Sequence, residues 1–171
     1  MTDRIQRIKK LIKSFRDALR GIRFAVLNER NMRIHLVAVA YVLFVSLFFG
    51  LSRGEYAILF LTFALVIGAE MVNTAVELLT DLGAPQYNGV AKVAKDVAAG
   101  AVLVGALFAV GVAVCLFWRA DGFVCMYRYF IGAAYRIPLL LLSFAASGLF
   151  VFIGPRSLWR GLKERINRKR K

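Results

Sequence analysis

Glu70, Asn73, Glu77 and Asp81 follow one another at steps of three, four and four residues. On a helix turning about 100° per residue, that spacing gathers all four on one face. The stretch before them, YAILFLTFALVIGA at 56–69, carries no charge. The polar stripe therefore begins inside an apolar helix, where carboxylates are costly and mark a functional site or path. Asn73 and Thr74 alone could serve as polar glue between helices, but Glu70 and Glu77 together ask for a chemical role. Glu29 precedes the first apolar segment, and Lys95 and Asp96 precede the third, so all three fall at the same membrane face as the stripe. This set suits a magnesium–nucleotide site. Mg²⁺ takes carboxylate oxygens together with phosphates and waters. A lysine balances phosphate charge, and a carboxylate left over can remove a hydroxyl proton.

The elements that must position these residues follow from the distribution of charge. The chain has 171 residues, 60% of them hydrophobic, yet carries 24 Lys and Arg against 10 Asp and Glu, for a net charge of +14. Ten of the basic residues lie in 1–33 and eight in 156–171. That segregation excludes a disordered basic chain, which would lack the apolar mass. It also argues against a soluble enzyme, which would not expose so much apolar surface. The sequence predicts an all-α membrane protein. Ile5, Ile8, Ile12, Phe15, Leu19, Ile22 and Val26 form the apolar stripe of a basic amphipathic helix over 4–26, suited to anionic inner-leaflet lipids. Membrane helices are expected over 34–51, 56–80, 97–118 and 137–154, with 81–96 as a polar loop and 119–136 as a mixed segment. Gly100, Gly105 and Gly111 would allow close helix approach in the third.

Four crossings put 20 basic residues (10 in 1–33, 2 in 81–96, 8 in the tail) on one side of the membrane. Arg53, Arg119, Arg128 and Arg136 lie on the other. The positive-inside rule then makes both termini and the acidic site cytoplasmic. Three crossings would strand the basic tail outside. Cys115 and Cys125 form no metal-ligand spacing or disulfide framework. The lone His35 is expected at the interface of the first span rather than in catalysis. Basic tails that flank membrane spans point to leaflet contact and not to nucleic acid. An acidic relay for transport would need charges in both halves of the membrane. A non-catalytic scaffold would need the acids only to pair with internal cations.

Three stretches carry a resemblance: SFRDALRGIRFAVLNERNMRIH at 14–35, EMVNTAVELLTD at 70–81 and QYNGVAKVAKDVAAGAV at 86–102. The chain resembles the small prokaryotic integral-membrane lipid kinases, the diacylglycerol and undecaprenol kinases, over about residues 5–120. The pattern E-x-x-N-[ST]-A-x-E-x-x-x-D, followed by A-K-D at 94–96, is specific to them. Soluble-kinase loops and Walker motifs are missing. The resemblance implies ATP-dependent phosphorylation of a lipid alcohol with Mg²⁺, by a homotrimer sharing sites between neighbours, in the bacterial inner membrane. It implies that Glu70 is the general base and contacts the lipid, that Glu29 and Glu77 hold the metal, and that Asn73 orients the site. Lys10, Tyr87, Asn88, Lys95 and Asp96 would contact ATP, and Arg23 the lipid. Three positions depart from the pattern: Asn88 stands for a histidine, Lys10 for an arginine, and Asp17 for a tyrosine whose role is not carried over. The NERN stretch at 28–31 and AKDVAAGAV at 94–102 look more like the undecaprenol kinases, with diacylglycerol the alternative lipid. The expected organisation is a surface helix (1–33), a three-span kinase core (34–120), an extra membrane segment (121–155) and a basic tail (156–171).

Overall fold

A computed structural model describes residues 2–83 and 89–154. All of its regular elements are helices: α1 (Thr2–Asn28), α2 (Arg30–Ser46), α3 (Arg53–Gly83), α4 (Gly89–Phe117), α5 (Ala120–Ile131) and α6 (Arg136–Phe152). The chain is an all-α membrane protein. Its outside is apolar: Phe15 on α1 is 65% exposed and Phe108 on α4 is 75% exposed, whereas Glu70 is 1% exposed. That inversion of the soluble pattern is what lipid as a solvent requires.

Helices α3 and α4 are long and apolar enough to cross a bilayer, at 30 and 29 residues for the apolar candidates Arg53–Leu82 and Gly89–Phe117. Thirty residues rise about 45 Å, well beyond a hydrocarbon core of about 30 Å. The polar end of α3 and the opening turns of α4 therefore extend past the apolar layer. This corrects the expected loop at 81–96: helix continues through Gly83 and resumes at Gly89, so Lys95 and Asp96 sit on a helix. The first expected span, 34–51, falls on α2, which starts earlier and ends at Ser46; with 17 residues, about 26 Å, it is not among the described helices long and apolar enough to cross on their own. The last is α6, with 17 residues, joined to α5 at a bend of 102°. The mixed segment at 119–136 is thus mostly helical, forming a broken hairpin with α6.

Helices α3 and α4 form the most extensive pair. Of the three glycines expected to admit a neighbour, Gly105 does so: a Cβ there would meet Leu65 at 3.4 Å. Around Gly100 and Gly111 nothing lies within 4 Å. The start of α3 is fixed by a reciprocal capping box. The Glu55 amide donates to Ser52 Oγ (3.3 Å), and the Ser52 amide donates to Glu55 Oε2 (2.7 Å). Arg119, between α4 and α5, pairs with the other Glu55 oxygen.

Helix α2 is clasped by α6 at two levels. Tyr41 Oη lies 3.0 Å from Ser143 Oγ and 3.1 Å from Ser147 Oγ. The buried Arg33 donates from Nε to the Val151 carbonyl (3.1 Å) and from Nη1 to the Val26 carbonyl (3.2 Å). Gly154, at φ +73°, lets the end of α6 lie against that guanidinium. A cation at a helix C-terminus also complements the helix dipole. Replacing Arg33 with alanine is expected to cost about 1–3 kcal/mol for each carbonyl left buried without a donor. The check is thermal unfolding in detergent, where the variant should melt below the wild type.

At the other end, Phe49 is buried between Phe117 and Phe123, with ring centroids 5.1 and 5.2 Å away. Gly122 makes that packing possible, since a Cβ there would come within 2.3 Å of the Phe49 ring. Gly122→Ala is expected to destabilise by about 1–3 kcal/mol, because a ring held on two sides cannot yield freely. The same melting assay tests it, and an unchanged midpoint would contradict the packing argument.

Candidate active site

The break between α1 and α2 falls at Glu29, whose backbone is extended (φ −93°, ψ 123°). Its amide still closes α1, donating to the Ala25 carbonyl at 2.8 Å. Its side chain makes no capping bond to α2, so the carboxylate is available for other work. Burial pushes the Glu29 carboxyl above its ordinary pKa, the neighbouring charge of Glu77 adds to this, and Arg33 opposes it. A carboxyl held this way gains from an arriving cation.

Glu70, Asn73 and Glu77 line one cavity of about 310 Å³. Glu77 Oε1 accepts a hydrogen bond from Asn73 Nδ2 at 3.0 Å, one helical turn apart. Thr74 Oγ1 is occupied within the helix, donating to the Glu70 carbonyl at 3.0 Å. Two atoms stand out: Glu70 Oε2 and Asn73 Oδ1 are buried without a hydrogen-bond partner. Buried polar atoms are almost always satisfied, so a pair of orphans in one cavity points to partners that arrive with a substrate.

The rest of the lining comes from α2 and α4. Asn31, Ile34 and His35 face the acids from α2, and Ala99, Val102, Leu103 and Ala106 form an apolar wall on α4. His35, near the start of α2, belongs to the cavity wall. The α4 residues recur at helical spacing, a pattern visible in the sequence but masked there by a uniformly apolar helix.

Other expected site residues lie elsewhere. Asp81 continues the stripe in sequence, but it is exposed and paired with Lys95 across the α3–α4 connection. Eleven residues separate it from Glu70, about 16 Å along the axis. Asp96 is exposed on α4, and Lys10 and Arg23 are exposed on α1. Arg23 shares a shallow surface with Arg16, Leu19 and Arg20, apart from the acids. Tyr87 and Asn88 lie outside the described residues.

No group of three or more His, Cys, Asp or Glu side chains gathers closely enough to hold a metal by itself among the described residues. Magnesium seldom needs such a cage: one or two carboxylates, completed by substrate phosphates and water, suffice. Glu77, oriented by Asn73, and the uncapped Glu29 fit that requirement.

The sequence pattern of the prokaryotic diacylglycerol kinase family matches residues 16–117. The chain belongs to that family. The matched region holds α2, α3, α4 and the second half of α1, and with them the whole carboxylate cavity. The family is one of lipid kinases, and the chain is similar to several members. It is 43% identical over 107 residues to a protein from Synechocystis sp. named diacylglycerol kinase, covering 62% of this chain and 61% of that one. The chain thus spans less than two thirds of that relative. It is 36% identical over 115 residues to the undecaprenol kinase of Bacillus subtilis, covering 67% of this chain and 94% of that one. To the diacylglycerol kinase of Escherichia coli it is 27% identical over 113 residues, 66% of this chain and 93% of that one. Helices α5 and α6 lie beyond the family match.

Proposed function

We propose that this chain transfers the γ-phosphoryl group of ATP to a membrane lipid alcohol, undecaprenol in the first instance. The single observation that carries the reading is the pair of buried unpartnered atoms, Glu70 Oε2 and Asn73 Oδ1, in a cavity walled by apolar α4 side chains. A lipid hydroxyl donates its one proton to Glu70 Oε2, and its chain lies along the apolar wall. Glu70 takes the hydroxyl proton as the lipid oxygen attacks the γ-phosphorus. The new lipid O–P bond forms while the bond to the β–γ bridging oxygen breaks, and ADP leaves. Such a transfer rests on alignment and charge neutralisation. Glu29 and Glu77 would hold Mg²⁺, which when bound with ATP neutralises the phosphate oxygens. Asn73 keeps the Glu77 carboxylate aimed.

Lys95, Asp96 and Lys10, with Tyr87 and Asn88, supply the nucleotide contacts, and Arg23 a contact to the lipid head. In one protomer Lys10 and Arg23 stand away from Glu70, and the apolar stripe of α1 is exposed. The separation of Lys10 and Arg23 from Glu70 supports a homotrimer in which a neighbour completes the site. The chain divides into a surface helix (1–33), a kinase core (34–120), an added membrane segment (121–155) and a basic tail (156–171). The excess of basic residues supports four crossings, with both termini and the site cytoplasmic at the bacterial plasma membrane. The basic helix and tail contact anionic inner-leaflet lipids.

Lys95→Ala tests the nucleotide assignment. An exposed ion pair contributes at most about 1 kcal/mol to stability, so the melting point should barely move while the KM for ATP rises severalfold. The substrate is tested by offering undecaprenol and diacylglycerol separately to the purified protein in bilayers with MgATP. Faster phosphorylation of undecaprenol is expected. A clear preference for diacylglycerol would reassign the lipid, and labelling of neither would overturn the kinase reading in favour of a scaffold.

A further inference from the structure

A second cavity, of about 400 Å³, lies between α2 and the α5–α6 hairpin. It is a separate cavity from that of the carboxylates: its α2 wall runs from Val37 to Phe44, whereas α2 lines the carboxylate cavity with Asn31, Ile34 and His35, and no residue lines both. Most of its wall belongs to α5, α6 and the bend between them, outside the region that matches the family. Its volume lies in the range of small-molecule and lipid-chain sites.

The lining is apolar and aromatic except in two places. In the wall, Tyr41 Oη hydrogen-bonds with both Ser143 and Ser147, and Ser143 Oγ donates to the Leu140 carbonyl, so a hydrocarbon chain beside them leaves no polar group stranded. The other exception is Arg136, a half-buried cation. Its guanidinium carbon lies 4.2 Å from the centre of the Tyr129 ring and 5.9 Å from that of Tyr135. Its Nη1 donates to the Tyr129 carbonyl, and Gly132 gives it room, since a Cβ there would come within 3.2 Å of Nη1. The side chain is therefore held in one place by rings and backbone.

Its charge is not balanced. None of the twelve residues lining the cavity is acidic, and among the described residues no carboxylate pairs with Arg136. Arg119, at the same end of the bundle, does have such a partner in Glu55. A guanidinium has five donors, and the Tyr129 carbonyl engages one of them. A fixed cation at the rim of an apolar slot, where α6 begins, calls for an anion carried on a hydrocarbon chain.

We infer that this cavity binds one anionic phospholipid, with its phosphate on Arg136 and an acyl chain in the slot beside Phe44 and Tyr41. Arg136 recognises the net negative charge, so zwitterionic headgroups, which bring their own ammonium, are held less well. The bound lipid bridges α2 to the hairpin. This site is independent of the transfer reaction, and its test does not read turnover.

The full chain is placed in nanodiscs containing phosphatidylglycerol or phosphatidylcholine with a photoreactive acyl chain, and labelled peptides are mapped. The exposed basic helix α1 provides an internal reference. Phosphatidylglycerol is expected to label α2 near Ala40–Phe44 and α6 near Leu139–Ser147 about tenfold more than phosphatidylcholine, as a charge-assisted contact would give. Arg136→Gln should reduce this labelling to the phosphatidylcholine level while α1 labelling stays constant, and Arg136→Lys should retain most of it. Ala40→Phe fills the slot without touching the cation and should abolish labelling there for both lipids. It carries the test alone if Arg136→Gln fails to fold by detergent melting. Equal labelling by the two lipids, a wild-type pattern in Arg136→Gln, or undiminished labelling in Ala40→Phe would each overturn the proposal.

Discussion

Glu70→Gln is expected to lower kcat by about 10²–10⁴-fold, the range of a positioned general base, while the protein melts at the same temperature or higher. The two halves of this expectation have one cause. Glu70 is buried, and one of its oxygens has no partner. A carboxylate kept there is a cost to the fold, and a neutral isostere of the same shape removes the charge without opening a hole. Glutamine can still fill the space and accept a hydrogen bond, but it cannot take a proton from a lipid hydroxyl. Glu70→Asp keeps the base and withdraws it by one methylene, so it should retain more activity than glutamine yet remain well below wild type. Initial rates and detergent melting curves on the three proteins decide this. Turnover in Glu70→Gln within tenfold of wild type would remove Glu70 from the base role.

The next largest effect is expected at Glu77. Contacts that orient a metal ligand are worth about 10–100-fold in metal affinity, so Asn73→Ala, which frees the Glu77 carboxylate from its 3.0 Å bond, should raise the Mg²⁺ needed for half-maximal rate by that factor. Glu77→Ala removes the proposed ligand itself and should exceed that range. Because Asn73 acts through Glu77, the double variant should be little worse than Glu77→Ala alone, a non-additivity that two independent contacts would not show. Rates measured against free Mg²⁺ at saturating ATP provide the comparison. An unchanged Mg²⁺ requirement in Glu77→Ala would contradict its role as a ligand.

The acidic cavity was legible because carboxylates are conspicuous in an apolar helix. The spacing of Glu70, Asn73 and Glu77 alone placed them on one face, and they line one cavity. Asp81 shares their spacing but not their surroundings, since the end of α3 has passed the packed region and Lys95 meets it there. The α3–α4 connection was harder to read. Pro85, Asn88 and Gly89 suggest a loop over the whole of 81–96, yet 81–83 and 89–96 are helical, because the pairing of α3 with α4 extends helix into that stretch. His35 gave no signal, since one histidine has no partner in spacing; only the packing of α2 against α3 brings it to the cavity of the acids. The hairpin beyond Phe117 depends on contacts distant in sequence, such as Phe49 against Gly122 and Arg33 against Val151. Local patterns do not encode those.

The buried Glu70, with Glu29 and Glu77 near it, is proposed to couple ATP to a lipid alcohol. The most direct measurement of that coupling is the ratio of ADP released to lipid phosphate formed by the wild-type protein, in bilayers where undecaprenol is the sole lipid alcohol. One lipid phosphate per ADP, with both products absent when Mg²⁺ is chelated, is the predicted result. ADP released without a phosphorylated lipid, or neither product at saturating MgATP, would contradict it.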